Sequence, residues 1–144
     1  MSPFELEFIR QQVLKGQQTD MLRALFEMQK ELDSEIFEKH ADKLPQSLQE
    51  WVLKYTIAIE SEIDEVRKEV GWKWWKKQED IDVEKLHEEV SDLWFFLIAL
   101  TICVGMGADD IFKAYEKKRE ENFARQRGES RDGDTYDYRD GDSE

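Results

Sequence analysis

Two pairs of carboxylates are spaced for joint chemistry: Glu62-x-x-Glu65 and Glu89-x-x-Asp92. Residues three apart on a helix are neighbours on its surface, so each pair can act together. The stretch between the pairs contains a helix stop and a helix cap. That suits an antiparallel hairpin in which the pairs face each other. Four carboxylates crowded at a core face cannot all stay ionised and unpaired, because repulsion and desolvation are too costly. They must be protonated, paired with bases, or gathered around a divalent cation. All-oxygen ligands on helices suit Mg²⁺, with Mn²⁺ as a substitute and water completing the shell. Zinc fits less well, since neither His nor Cys lies next to these pairs on their faces. A Glu-x-x-Glu on a helix is often just a solvated face, so the phase of each pair decides.

Phase follows from a turn of about 100° per residue. On the helix that carries Trp51, Glu62 falls almost in line with it, within the face of Tyr55, Ala58, Ile59 and Val66, and Glu65 falls at the edge of that face. On the next helix, Leu86, Val90, Leu93 and Leu97 make one apolar stripe. Glu89 and Asp92 lie on a different face, at the head of a line continued by Phe96, Ala99, Leu100 and Cys103. From Leu93 to Val104 the helix is apolar all round, which predicts burial on every side. Gln29 and Asp33 fall inside the apolar stripe of Leu22, Leu25, Phe26, Leu32 and Ile36. They are hydrogen-bonding groups aimed at a core, or simply at a partly wet helix interface. A later stripe starts apolar and turns cationic: Ile111, Tyr115, Lys118, Asn122, Arg125. Its end is either a solvated helix end favoured by the dipole or a set of phosphate ligands. Between the carboxylate pairs, Gly71 to Lys77 holds three Trp and three Lys in seven residues, flat surface beside positive charge.

The elements that must position these groups are helical. Pro3 to Leu14 reads as a first helix, ended by Gly16. Thr19 or Asp20 caps a second, to about His40. Ser47 caps a third, from Leu48 to Val70, stopped by Gly71. Trp72 to Asp80 reads as a loop. Asp80 or Asp82 caps a fourth, to Val104, and Asp109 or Asp110 opens a fifth, to about Arg127. The expected fold is all-α, about five helices around a four-helix core. The helical domain spans residues 1–127. Residues 128–144 read as an acidic, disordered tail, since from Arg127 onward there are seven acidic and three basic side chains and no aliphatic one. Net charge is −13 over 144 residues, which argues against polymeric nucleic acid and anionic membranes as partners. The longest apolar stretch is too short to cross a bilayer. One cysteine and no secretory leader point to a cytoplasmic protein. Cys103 reads as a plain buried thiol, and His40 and His87 as surface residues. The all-apolar run argues for a homodimer, because five short helices cannot cover it alone.

Taken together, these groups describe a metal–nucleotide site, and the chain resembles the all-α nucleoside triphosphate pyrophosphohydrolases, the MazG-like superfamily. Within it, the chain is similar to the dimeric dUTPases. The residues that carry this are Leu25 to Asp33, Glu62-Ile63-Asp64-Glu65, Gly71 to Lys76, Glu88 to Asp92 with Phe95-Phe96, and Lys118 to Gln126. The resemblance implies that Glu62, Glu65, Glu89 and Asp92 bind Mg²⁺. It implies that Gln29 and Asp33 lie beside the base, with Phe96 and Trp75 packing on base or sugar. Lys76, Lys118, Asn122 and Arg125 would hold phosphates and sugar. The implied reaction is hydrolysis of dUTP, and often dUDP, to dUMP, with Glu62 as the general base. Asp33 stands where several members have Asn. Two other readings stay open: a broader dNTP or dCTP pyrophosphohydrolase, and a non-catalytic helical interaction protein.

Overall fold

The computed structural model describes residues 1–16 and 20–129, apart from the side chain of Val13. Among them are α1 (Pro3–Leu14), α2 (Met21–Lys39), a short 3-10 turn (Ala41–Lys43), α3 (Leu48–Glu69), α4 (Val83–Cys103) and α5 (Ala108–Gln126), with no strand. The all-α expectation is met. The acidic stretch from residue 130 onward lies outside the described residues, as does Thr19.

The starts of α1 to α4 each have a chemical cause. Ser2 and Glu5 bond reciprocally at the head of α1: Ser2 N–H donates to Glu5 Oε2 at 2.6 Å and Glu5 N–H to Ser2 Oγ at 3.2 Å. Asp20 accepts from Arg23 N–H at 3.0 Å, Ser47 from Glu50 N–H at 3.2 Å, and Asp82 from Lys85 N–H at 3.1 Å. These bonds satisfy amides that the helix itself leaves without partners. At the end of α3, Gly71 adopts φ 60°, a left-handed conformation that suits glycine. A Cβ there would also run into the Gln78 side chain. That side chain folds across the loop, donating to the carbonyls of Lys73 (2.9 Å) and Lys76 (3.1 Å).

The described chain forms two compact units, Met1–Gly107 and a second that starts at Ala108. In the first, α3 and α4 make the most extensive helix pair, α2 packs on α4, and α1 packs on α2. Leu6, Ala24, Phe26, Ile98 and Ala99 are buried, and Gln29 is buried with them. The second half of α4 departs from its expected all-round burial. Trp94 is 54 % exposed and Leu97 49 %, and only Ile98 and Ala99 of this stretch are buried. The reason is geometric: α2 and α3 cover two sides of α4, and two helices cannot enclose a third. Cys103 is half-buried rather than buried; His40 and His87 are exposed, as expected.

Candidate active site

The α3–α4 hairpin brings three of the four expected carboxylates together. One oxygen each from Glu62, Glu89 and Asp92 lies within 4.8 Å of the other two. Glu62 and Glu89 are half-buried, and Asp92 is exposed. The Glu62 carboxyl is held above its ordinary value, first by its removal from water and then by the charges of Asp92, Glu89 and Glu65. Among the described residues, none of the ion pairs reaches Glu62, Glu89 or Asp92. The arrangement suits a small divalent cation. At metal–oxygen distances of about 2.0–2.1 Å, ligand oxygens on one Mg²⁺ sit roughly 3–4 Å apart. The three carboxylates need little movement to reach that spacing, and a cation would relieve the repulsion that raises Glu62.

Glu65 lies one turn further along α3 and is engaged elsewhere. Its Oε1 accepts from Lys68 Nζ at 2.7 Å, and the same ammonium lies 3.1 Å from Asp64. At the loop end of the hairpin, Lys85 on α4 meets Glu69 on α3 at 2.6 Å. This pair ties the two helices beside the acidic cluster.

Next to the carboxylates is an apolar cavity of about 630 Å³. Its walls include Gln29 and Asp33 from α2, Trp51 and Tyr55 from α3, and Phe95, Phe96 and Ala99 from α4; Asp92 joins it to the acidic cluster. Gln29 is only 5 % exposed, and its Nε2 donates to Asp33 Oδ1 at 2.8 Å. Burial pushes the Asp33 carboxyl up, against the opposing effect of that hydrogen bond. Tyr55 is pushed up to about 12 by burial, with Asp33 and Cys103 adding to the shift, so its phenol stays protonated. Trp51 stacks on Tyr55 with ring centroids 5.4 Å apart and packs against Phe37 at 5.0 Å. Trp51, Tyr55 and Phe95 were not foreseen as site residues. For Trp51 and Tyr55 a signal existed, since they share the α3 face of Glu62.

The other expected site residues fall elsewhere. Trp75 and Lys76 do not line this cavity. Trp75 meets Trp72 and Trp74 edge-on, each at 5.8 Å, and is largely exposed; Lys76 lines a separate polar depression with Trp72 and Lys73. In the second unit, Lys118 and Asn122 share a shallow groove along α5 with Tyr115, Arg119, Phe123 and Gln126. Arg125 Nε lies 3.4 Å from Glu121 on the same helix.

Among the described residues, no single helix is long and apolar enough to cross a membrane. Against known protein families, residues 21–107 match the model of a family described as dUTPase. The match ends where the first compact unit ends, at Gly107, and it contains every residue of the acidic cluster and the cavity. No curated protein and no solved structure matches the chain. With all four carboxylates and the Gln29–Asp33 pair inside the matched span, the chain belongs to the helical dUTPase family, whose activity is that of a dUTP diphosphatase.

Proposed function

We propose that the chain converts dUTP, and dUDP, to dUMP with Mg²⁺ held by Glu62, Glu89 and Asp92. The observation that carries this is the convergence of these three carboxylates beside a cavity sized for a nucleoside. Glu65 joins the set by exchanging Lys68 for the cation. Mg²⁺, with Mn²⁺ as substitute, would polarise a water and neutralise charge on the phosphates. Glu62 accepts the proton of the water that attacks the α-phosphorus; the α–β anhydride breaks, and pyrophosphate leaves from dUTP or orthophosphate from dUDP. Asp92 and Phe96 are one helical turn apart, so phosphate held at one places the sugar against the other. Gln29 and Asp33 take the edge of the base at the far wall. Trp75, Lys76, Lys118, Asn122 and Arg125 are assigned to base, phosphates and sugar on the strength of the resemblance, and substitution by Ala tests each.

The active form in this reading is a cytoplasmic homodimer. Its support is the apolar surface that one chain leaves open on α4 and α2 outside the cavity, where Trp94, Leu97 and Leu25 are exposed. A nucleotide is the only nucleic-acid partner, in keeping with a net charge of −13. Pyrophosphate release from a panel of dNTPs, with and without Mg²⁺, tests the function. Release from dUTP that stops on chelation supports it; equal rates on dUTP, dCTP and dTTP would replace it with the broader pyrophosphohydrolase. Sedimentation equilibrium tests the dimer.

A further inference from the structure

Lys68 is bound to two carboxylates at once. Its Nζ lies 2.7 Å from Glu65 Oε1 and 3.1 Å from Asp64 Oδ2. Both carboxylates belong to the preceding turn of α3, where a side chain three or four residues on can reach them. They look in different directions. Glu65 stands about 60° around the helix from Glu62, and Asp64 about 160° from it. A cation beside Glu62 is therefore within the compass of Glu65 and out of that of Asp64. Lys68, Glu65 and Asp64 are all partly exposed, so each can turn without disturbing the packing of α3 on α4.

A divalent cation that enters beside Glu62 meets a Glu65 that is already engaged. Two cations then compete for one carboxylate: the metal, and an ammonium tethered to the same helix. Asp64 alters the terms of that competition. When Glu65 turns to the metal, Lys68 keeps its second partner and is not left unpaired. The ammonium also stays on the flank of α3 away from Glu62, where its charge opposes the metal least. The exchange thus breaks one ion pair of the two that Lys68 makes.

Building on the proposed cation site at Glu62, Glu89 and Asp92, we infer that Lys68 and Asp64 set its affinity: Lys68 competes with the metal for Glu65, and Asp64 holds Lys68 once Glu65 has turned to the metal. Neither residue touches the cation or the substrate. Both are positioning residues that act through Glu65, and they act in opposite directions. Without Lys68, Glu65 is available from the start and binding tightens. Without Asp64, Lys68 has Glu65 alone to hold and binding weakens. The pairs are exposed, so each effect should be roughly fivefold at most.

The test is Mn²⁺ titration of the nucleotide-free full chain at about 0.15 M salt, which damps charge effects that act at a distance. Free Mn²⁺ is read by electron paramagnetic resonance. Lys68→Gln should bind Mn²⁺ about threefold more tightly than the native chain, and Asp64→Asn about threefold more weakly. Charge alone would give the same two signs, and the double variants separate the causes. In a Lys68→Gln background there is no ammonium for Asp64 to hold, so adding Asp64→Asn should change the affinity by less than about 1.5-fold. In a Glu65→Gln background, adding Lys68→Gln should change it equally little. The same loss from Asp64→Asn with and without Lys68 would overturn the inference, and so would a Lys68→Gln chain that binds no more tightly than the native one. Mn²⁺ binding that depends on Glu62 and not on Lys68 would remove only this inference. No binding by the native chain would remove the cation site as well.

Discussion

On α3, Glu62 and Glu65 are identical side chains three residues apart, and they meet opposite electrostatic surroundings. Glu65 shares Lys68 with Asp64, and further on Glu69 is paired across the hairpin with Lys85. Glu62 faces Glu89 and Asp92, and none of the ion pairs among the described residues reaches these three. The exposed Lys68 pairs stabilise α3 modestly, and the Lys85–Glu69 bond, with its Glu69 side chain 12 % exposed, ties α3 to α4. The unpaired carboxylates work against the hairpin unless a cation arrives. On this hairpin the chain thus supplies a cation to Glu65 and Glu69 and none to Glu62, Glu89 and Asp92. A folded state that holds like charges together trades stability for function.

The largest expected effect of breaking this contrast is on catalysis. Glu62→Gln should lower dUTP hydrolysis by about 10³-fold, within the range expected for a general base that also holds the metal; steady-state pyrophosphate release measures it. Glu65→Gln should cost about 10- to 100-fold under the same assay, because its carboxylate is one the cation must take from Lys68. A loss equal to that of Glu62→Gln would erase the distinction between the two positions.

The same pair gives a stability prediction of opposite sign. In chelator at neutral pH, Glu62→Gln should raise Tm by a few degrees, while Glu65→Gln, which loses the Lys68 contact, should not. The pH dependence follows from linkage. The folded-state pKa of Glu62 lies above its ordinary 4.5, so its contribution to stability is fully present below 4.5 and is lost as pH rises through the folded value. The Tm gap between Glu62→Gln and the metal-free native chain should therefore open with rising pH and close below 4.5. Lys85→Ala carries the smallest expected effect. It should give a slight drop in Tm that shrinks further in high salt, since Lys85 is exposed and its bond to Glu69 is screened.

Much of this was legible in the residues themselves. Caps and stops are local chemistry, so Asp20, Ser47, Asp82 and Gly71 mark helix ends that the structure keeps. Helical phase placed Glu62, Glu89 and Asp92 on converging faces and put Gln29 and Asp33 inside an apolar stripe. Phase gives direction and not distance, however. It could not show that Lys68 would reach back to Glu65, because a long flexible ammonium can serve either of two turns. Burial was the weakest reading. The apolar run of α4 shows that Trp94 and Leu97 avoid water, but what covers them depends on partners that a single helix does not encode. Trp51 and Tyr55 stand on the face of Glu62, where aromatic residues are usually core; only the cavity between α2, α3 and α4 makes them walls.

The account's central claim is that Glu62, Glu89 and Asp92 form one divalent-cation site, and Mn²⁺ binding tests it most directly. Titrating Mn²⁺ into the nucleotide-free full chain, with free Mn²⁺ read by electron paramagnetic resonance, should show saturable binding in the native protein. Glu62→Gln should weaken that binding by about tenfold or more. Equal affinity in both proteins, or none in either, would contradict the claim.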